Sequence, residues 1–181
     1  ALSKSTAAKD QLETTMGGQL NFIGRGGSGT GLPADYIVID DPIKGQEEAN
    51  SPTIIEDLHE WYSSVIYSRA RSTTAIILVH TRWVEDDLIG HNCDPDHPWR
   101  HTEAGRAEAA VWDYINIPAV VTEGPIAKAL GCELAVPATP RVIDAFGDQP
   151  MSALWPEEFS LEHLASAKRL NPRTFQALYM G

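Results

Sequence analysis

The chain is predicted to be α/β, built around a mostly parallel sheet, and three stretches carry that prediction. Tyr36-Ile37-Val38-Ile39-Asp40 is a short apolar run closed by Asp41 and Pro42. Thr74-Ala75-Ile76-Ile77-Leu78-Val79 is a second, closed by His80-Thr81-Arg82-Trp83. Between them Ile54, Leu58, Trp61, Tyr62, Val65 and Ile66 recur at helical spacing and form one apolar face. Strand, helix and strand in this order make a crossover unit whose two strands run parallel. Continuous apolar runs are the mark of strands buried within such a sheet. Asp40-Asp41 and Thr81-Arg82 then fall on one edge, the carboxyl edge where open α/β sheets bind ligands.

The remaining elements follow in order. Residues 1–19 are small and polar, broken at Gly17-Gly18, and are expected to be an irregular or helical lead-in. Leu20 to Ile23 reads as a short strand, and Gly24 to Gly31 as a loop closed by Pro33. Ser51 followed by Pro52 opens the crossover helix as N-cap and first helical residue. Val84 to His91 reads as a short helix, 92–110 as a loop, and Trp112 to Ile117 as a strand stopped by Pro118. Residues 122–150 are rich in Gly and Pro without a period, and are expected to be an excursion from the sheet. Ser160 to Leu170 and Pro172 to Tyr179 read as two closing helices. The division that follows is a core of 1–121 and a smaller unit of 122–181. Trp99, Trp112 and Trp155 read as packing residues.

With 181 residues the chain is long enough for a substantial core, and 43% hydrophobic with 22% charged residues is ordinary globular composition. No apolar run is long enough to span a membrane, and no leader pattern opens the chain. Cys93 and Cys132 are too few for a disulfide framework. A net charge of −11 argues against general nucleic-acid coating, which depends on Lys and Arg. Lys168, Arg169 and Arg173, and Arg69 with Arg71, fall at expected helix ends, where cations favour the dipole. Ala1 at the start, and Met180-Gly181 within a helical pattern at the end, are read as marks of a piece of a longer polypeptide.

The candidate site is the predicted shared edge. Two adjacent carboxylates at a strand end are costly unless a cation or a proton-transfer task holds them. Nucleotide hydrolases need such a pair, one acid near Mg²⁺ and the next orienting the attacking water. A hydroxyl and a guanidinium on the neighbouring strand end, Thr81 and Arg82, suit a phosphate. Asp86 and Asp87 either orient Arg82 or cap the following helix. Gly24-x-Gly26-x-x-Gly29 has the spacing of a dinucleotide fingerprint but lacks the helix that must follow it. It also lacks the Lys-Ser/Thr of a phosphate loop, and reads better as a loop lying near nucleotide or DNA.

Four stretches taken together resemble the large subunit of tailed-bacteriophage terminases. They are Asp35 to Lys44; Thr81-Arg82-Trp83-x-x-Asp86-Asp87-Leu88-x-Gly90; Ile117-Pro118-Ala119; and Leu154-Trp155-Pro156-Glu157-x-Phe159 with Phe175-x-Ala177-Leu178-Tyr179. The resemblance runs from about Gly24 to the end, with 122–150 unmatched. It implies part of a P-loop NTPase of the additional-strand, RecA-like class, followed by a small helical linker leading towards a nuclease domain. The implied activity is ATP hydrolysis coupled to packaging of double-stranded DNA, with ATP and Mg²⁺ as cofactors. The implied partners are double-stranded DNA, a portal protein, a terminase small subunit and further copies in a ring, docked on a procapsid in the host cytoplasm. Asp40 matches the Walker B acid near Mg²⁺. Asp41 matches the carboxylate facing the attacking water, where many members have Glu. Thr81 and Arg82 match the coupling motif that senses the γ-phosphate. No Gly-x-x-x-x-Gly-Lys-Ser/Thr occurs here; the family carries it upstream, and its nuclease domain follows the Phe-Gln-Ala-Leu-Tyr motif. These 181 residues alone are therefore expected to be inactive.

Two other functions compete. Asp40, Asp41 and a third acid such as Asp86 would make a metal-dependent nuclease. Half a motor domain would instead serve as a binding module, betrayed by an exposed apolar edge. His91, Cys93, Asp94, Asp96, His97 and His101 have zinc-ligand chemistry without zinc-motif spacing, and read better as a solvated loop.

Overall fold

A computed structural model describes residues 2–8, 10–27, 33–94, 103 and 111–180. Strands β1 (Leu2–Ala8), β2 (Gln11–Thr14) and β3 (Gln19–Asn21) form an antiparallel meander in that order. The expected irregular or helical lead-in is thus a sheet. Gly17-Gly18 is its turn: Gly17 takes a φ of 84°, and the Gly18 amide donates to Thr14 Oγ1 at 2.9 Å. No residue of β2 or β3 is buried, so the strands have no inner face and leave no alternation in the sequence.

Strands β4 (Ala34–Asp40) and β5 (Ala70–Val79) pair in parallel, from Tyr36 opposite Ala75 to Asp40 opposite Val79. The crossover between them holds α1 (Gln46–Ala49) and α2 (Pro52–Trp61). Ser51 stands at the N-cap of α2 in extended conformation but makes no side-chain cap bond. Beyond Trp61 the helix widens into a π-turn (Tyr62–Ile66) and then tightens into a 3₁₀ turn (Tyr67–Arg69). Ser63 and Ser64 both donate their hydroxyls to the Glu60 carbonyl, at 3.0 and 2.6 Å. Such back-bonding distorts a helix.

One face of the strand pair is covered. Ile37, Ile39, Ile76 and Leu78 pack with Ile43, Ile55, Leu58, Trp61, Tyr62, Ile66 and Leu88 in the first core. The other face is not: Tyr36 is 75% exposed, Val38 64%, Ile77 49% and Val79 52%. The expectation of strands buried on both sides is met on one side only among the described residues. Of the sheets described, β4–β5 alone is parallel.

After β5 comes α3 (Leu88–Cys93), then an irregular stretch where Trp112 to Ile117 was expected to be a strand. The strand begins later, as β6 (Val120–Thr122), paired antiparallel with β7 (Met151–Ala153). Since Val120 and Val121 lie in β6, this strand straddles the expected division at 121/122. The 122–150 excursion contains two helices, α4 (Pro125–Leu130) and α5 (Pro140–Phe146). Each opens on a proline and closes on a glycine of positive φ, Gly131 at 66° and Gly147 at 92°.

Helices α6 (Leu161–Leu170) and α7 (Pro172–Phe175) follow, the second continuing as a π-turn to Met180. Ser160 Oγ accepts from the His163 amide at 3.2 Å, the expected cap. Val120, Val142, Met151, Ala153, Leu164, Ala165 and Phe175 make a second core. The Ile117-Pro118-Ala119 stretch and both halves of the closing stretch meet at Ala119, whose amide donates to the Tyr179 carbonyl at 2.6 Å and whose carbonyl accepts from the Leu154 amide at 2.8 Å. Trp155 is 60% exposed, not packed as expected, whereas Trp112 packs against the first core. Arg173 Nη2 donates to Asn50 Oδ1 at 2.7 Å, tying α7 to the α1–α2 junction.

Candidate functional site

The carboxyl edge of β4–β5 is where the predicted residues lie. Beyond the last paired residues the Asp41 amide donates to the Val79 carbonyl at 3.0 Å, which carries the ladder one step past the strand. Asp41 then takes a φ of 39°, the only positive φ of a non-glycine among the described residues. That turn aims its carboxylate across the gap, where Oδ1 accepts the Thr81 amide at 2.8 Å. Asp40 and Asp41 are exposed, while Pro42 and Ile43 turn down into the core. Asp40, Asp41 and Thr81 therefore share one rim, as expected from parallel pairing.

Arg82 follows Thr81 in the chain but is held elsewhere. Its Nε donates to Asp87 Oδ2 at 2.6 Å, and no hydrogen bond or ion pair joins it to Asp40 or Asp41. Burial disfavours its charge, but the Asp87 carboxylate, its hydrogen bond and a further bond to Tyr114 outweigh this and raise the guanidinium above its ordinary range. Asp87 is fully buried, and its other oxygen accepts the Gly90 amide at 2.9 Å, capping α3. One carboxylate thus performs both tasks that were alternatives for Asp86 and Asp87. Gly90 is required by this turn: a Cβ built on it would lie 1.8 Å from the Glu85 carbonyl oxygen and 3.2 Å from Arg82 Nη2.

Asp86 points to a different group. Its Oδ1 lies 3.8 Å from His59 Nε2 and 3.8 Å from His91 Nδ1, so the third acid of a nuclease triad is not brought together with Asp40 and Asp41. Of the zinc-type loop residues, His91 lies in this group, Cys93 and Asp94 do not, and Asp96, His97 and His101 lie outside the described residues.

Two neighbours of the rim were given no role from the sequence. His80 directly follows β5, and both its ring nitrogens are buried without a hydrogen-bond partner of normal geometry. Burial lowers its pKa below 6.5, against the opposing pull of Asp87 and Asp41. Arg25, from the glycine loop, donates Nη1 to the Pro42 carbonyl at 3.0 Å and pairs with Glu48 through both carboxylate oxygens, at 2.9 and 2.8 Å. The Lys44 amide on Glu48, then Arg25, hold that carboxyl below its usual range. The glycine loop is thereby fastened beside Asp41 at Arg25; 28–32 lie outside the described residues.

No known family, curated protein or solved structure matches the chain. Among the described residues no helix is long and apolar enough to cross a membrane. A groove of 510 Å³ lies in the second core, lined by Val121, Glu123, Ile126, Phe146 and Lys168, and touches none of the rim residues.

Proposed function

We propose that the chain is part of an ATP-driven DNA-packaging motor of the terminase large-subunit kind, contributing the hydrolytic rim and the linker that follows it. The observation that carries this reading is the Thr81 amide on Asp41 Oδ1 at 2.8 Å. It ties the second acid to the backbone at the coupling-motif threonine, so a movement of either strand end is felt at the other. In this reading Asp41 orients the water that attacks the γ-phosphate, and Thr81 senses whether that phosphate is present. Arg82, pinned by Asp87, reports the change to α3.

The donor chemistry fits Mg²⁺, because such sites take one or two carboxylates with waters and phosphate oxygens completing the shell, and Asp40 is an exposed carboxylate at the rim. Bound there with ATP, the ion would neutralise charge on the phosphates. The uncovered face of β4–β5 also suits a strand pair that belongs to a larger sheet. In the packaging assembly the partners are double-stranded DNA, the portal, the small subunit and sister copies in a ring, in the host cytoplasm.

The test uses the full polypeptide that contains these residues, assayed for DNA-stimulated ATP turnover. Asp41→Asn should lower kcat by at least about 100-fold while ATP binding persists. Unchanged turnover would remove the reading, as would Mg²⁺-dependent turnover by these 181 residues alone, which hold no phosphate loop. DNA cleavage lost with ATP turnover intact in Asp40→Asn would favour the nuclease instead.

A further inference from the structure

From His59, Asp86 and His91 we infer a divalent transition-metal site of the zinc class, separate from the nucleotide rim. The three residues come from three elements: the last turns of α2, the turn after β5, and α3. Their ligand atoms all lie within 4.8 Å of one another. Asp86 Oδ1 stands equidistant from the two imidazoles, 3.8 Å from His59 Nε2 and 3.8 Å from His91 Nδ1. The rings face each other with centroids 3.8 Å apart and planes tilted by 33°.

The donor set and spacing decide the class of ion. Two imidazoles and one carboxylate are ligands for zinc and its first-row neighbours, whereas Ca²⁺ and Mg²⁺ require oxygen shells. Bonds of about 2.0–2.1 Å at tetrahedral angles place ligand atoms about 3.3 Å apart. The two 3.8 Å edges must therefore close by about 0.5 Å, and the edge between the imidazoles, within 4.8 Å, by up to about 1.5 Å, which requires the rings to turn. His59 Nε2 also lies 3.0 Å from the Asp86 carbonyl, so the metal would replace that contact with a bond to the same residue's side chain. Three protein ligands leave one tetrahedral position for water.

Such an ion would act as a clamp. Asp86 precedes Asp87, which holds Arg82 and caps α3, and His59 stands in the last turn of α2, three residues before its π-turn. Metal binding would fasten the turn that carries Arg82 to the crossover helix, which is the part of the fold a coupling signal must cross.

The experiment titrates the metal-free full chain with Zn²⁺ by calorimetry, and with Co²⁺ by visible absorption. A single ion per chain is expected, with the strong ligand-field bands of four-coordinate Co²⁺ and a rise in Tm on metal addition. His59→Gln and His91→Gln should each weaken binding at least about tenfold and abolish the metal-dependent Tm rise, while Cys93→Ser leaves both intact. Circular dichroism of the metal-free variants separates ligand loss from misfolding, and the wild-type titration stands whether or not a variant folds. Absence of binding by the wild-type chain, six-coordinate Co²⁺ spectra, or full affinity in His59→Gln would each overturn the inference. The last result would place the ion on other residues.

Discussion

Replacing Gly90 with alanine sets two effects of known size against each other. Gly90 lies inside α3, where alanine is favoured over glycine by about 0.8–1.0 kcal/mol on helix propensity. The added Cβ, however, would sit 1.8 Å from the Glu85 carbonyl oxygen. A carbon–oxygen contact needs about 3.3 Å, so roughly 1.5 Å must open between α3 and the preceding turn. The obstacle is backbone, not the end of a flexible side chain, which puts the penalty at or above the top of the about 1–3 kcal/mol range for overpacking. The clash wins. Gly90→Ala should be less stable by about 2 kcal/mol or more, a Tm lower by roughly 4–8 °C for a chain of this length. Urea unfolding followed by tryptophan fluorescence reports it, because Trp61 and Trp83 pack in the same core. A variant as stable as the parent, or more so, would mean that the turn does not pass so close to α3. The account of how Asp87 and Arg82 are held would then fail.

Three further outcomes follow from the same geometry. Asp87→Ala removes the α3 cap, about 1 kcal/mol, and leaves Arg82 without its carboxylate, so a loss of about 3 kcal/mol or more is expected. Asp87→Asn keeps an oxygen for the Gly90 amide and should lose clearly less; equal losses in the two variants would contradict the double role. His80 is held neutral by burial, so the unfolded chain binds its proton more readily. Stability should be fully present above pH 6.5 and fall as pH drops below it, and His80→Gln should flatten that slope in thermal melts between about pH 5 and 8. An unchanged slope would show that His80 is not the group titrating. Along β4, Val38→Thr should change stability by no more than about 0.5 kcal/mol, whereas Ile39→Ala should cost about 2–4 kcal/mol, since Val38 is 64% exposed and Ile39 5%. Similar losses at both positions would mean that the outer face of the pair is covered in solution.

What could be read in advance divides along the reach of the forces involved. The β4–α2–β5 unit was legible because its apolar residues follow local periods, and parallel pairing then placed Asp41 beside Thr81. Helices α4 and α5 were not foreseen, because elements this short show no apolar period and are marked only by Pro125 with Gly131 and Pro140 with Gly147. Strands β2 and β3 of the meander could not be seen that way, because strands without a buried face carry no alternation. Long-range partnerships were hidden altogether. Arg25 meets Glu48 across 23 residues, and His59 meets Asp86 across 27. Only the folded crossover brings either pair together, so His91 was grouped with its sequence neighbours instead of with α2.

The left-handed twist at Asp41 explains a choice of side chain. In that conformation the β-carbon crowds the following carbonyl, and short polar residues such as aspartate are tolerated far better than longer ones. A single methylene also suffices to bridge to the opposite strand end. Glutamate at this position would have both the wrong backbone preference and surplus length. Conversion to it should therefore be treated as a rebuilding of the loop rather than a like-for-like exchange, and would call for glycine beside it to restore the bend.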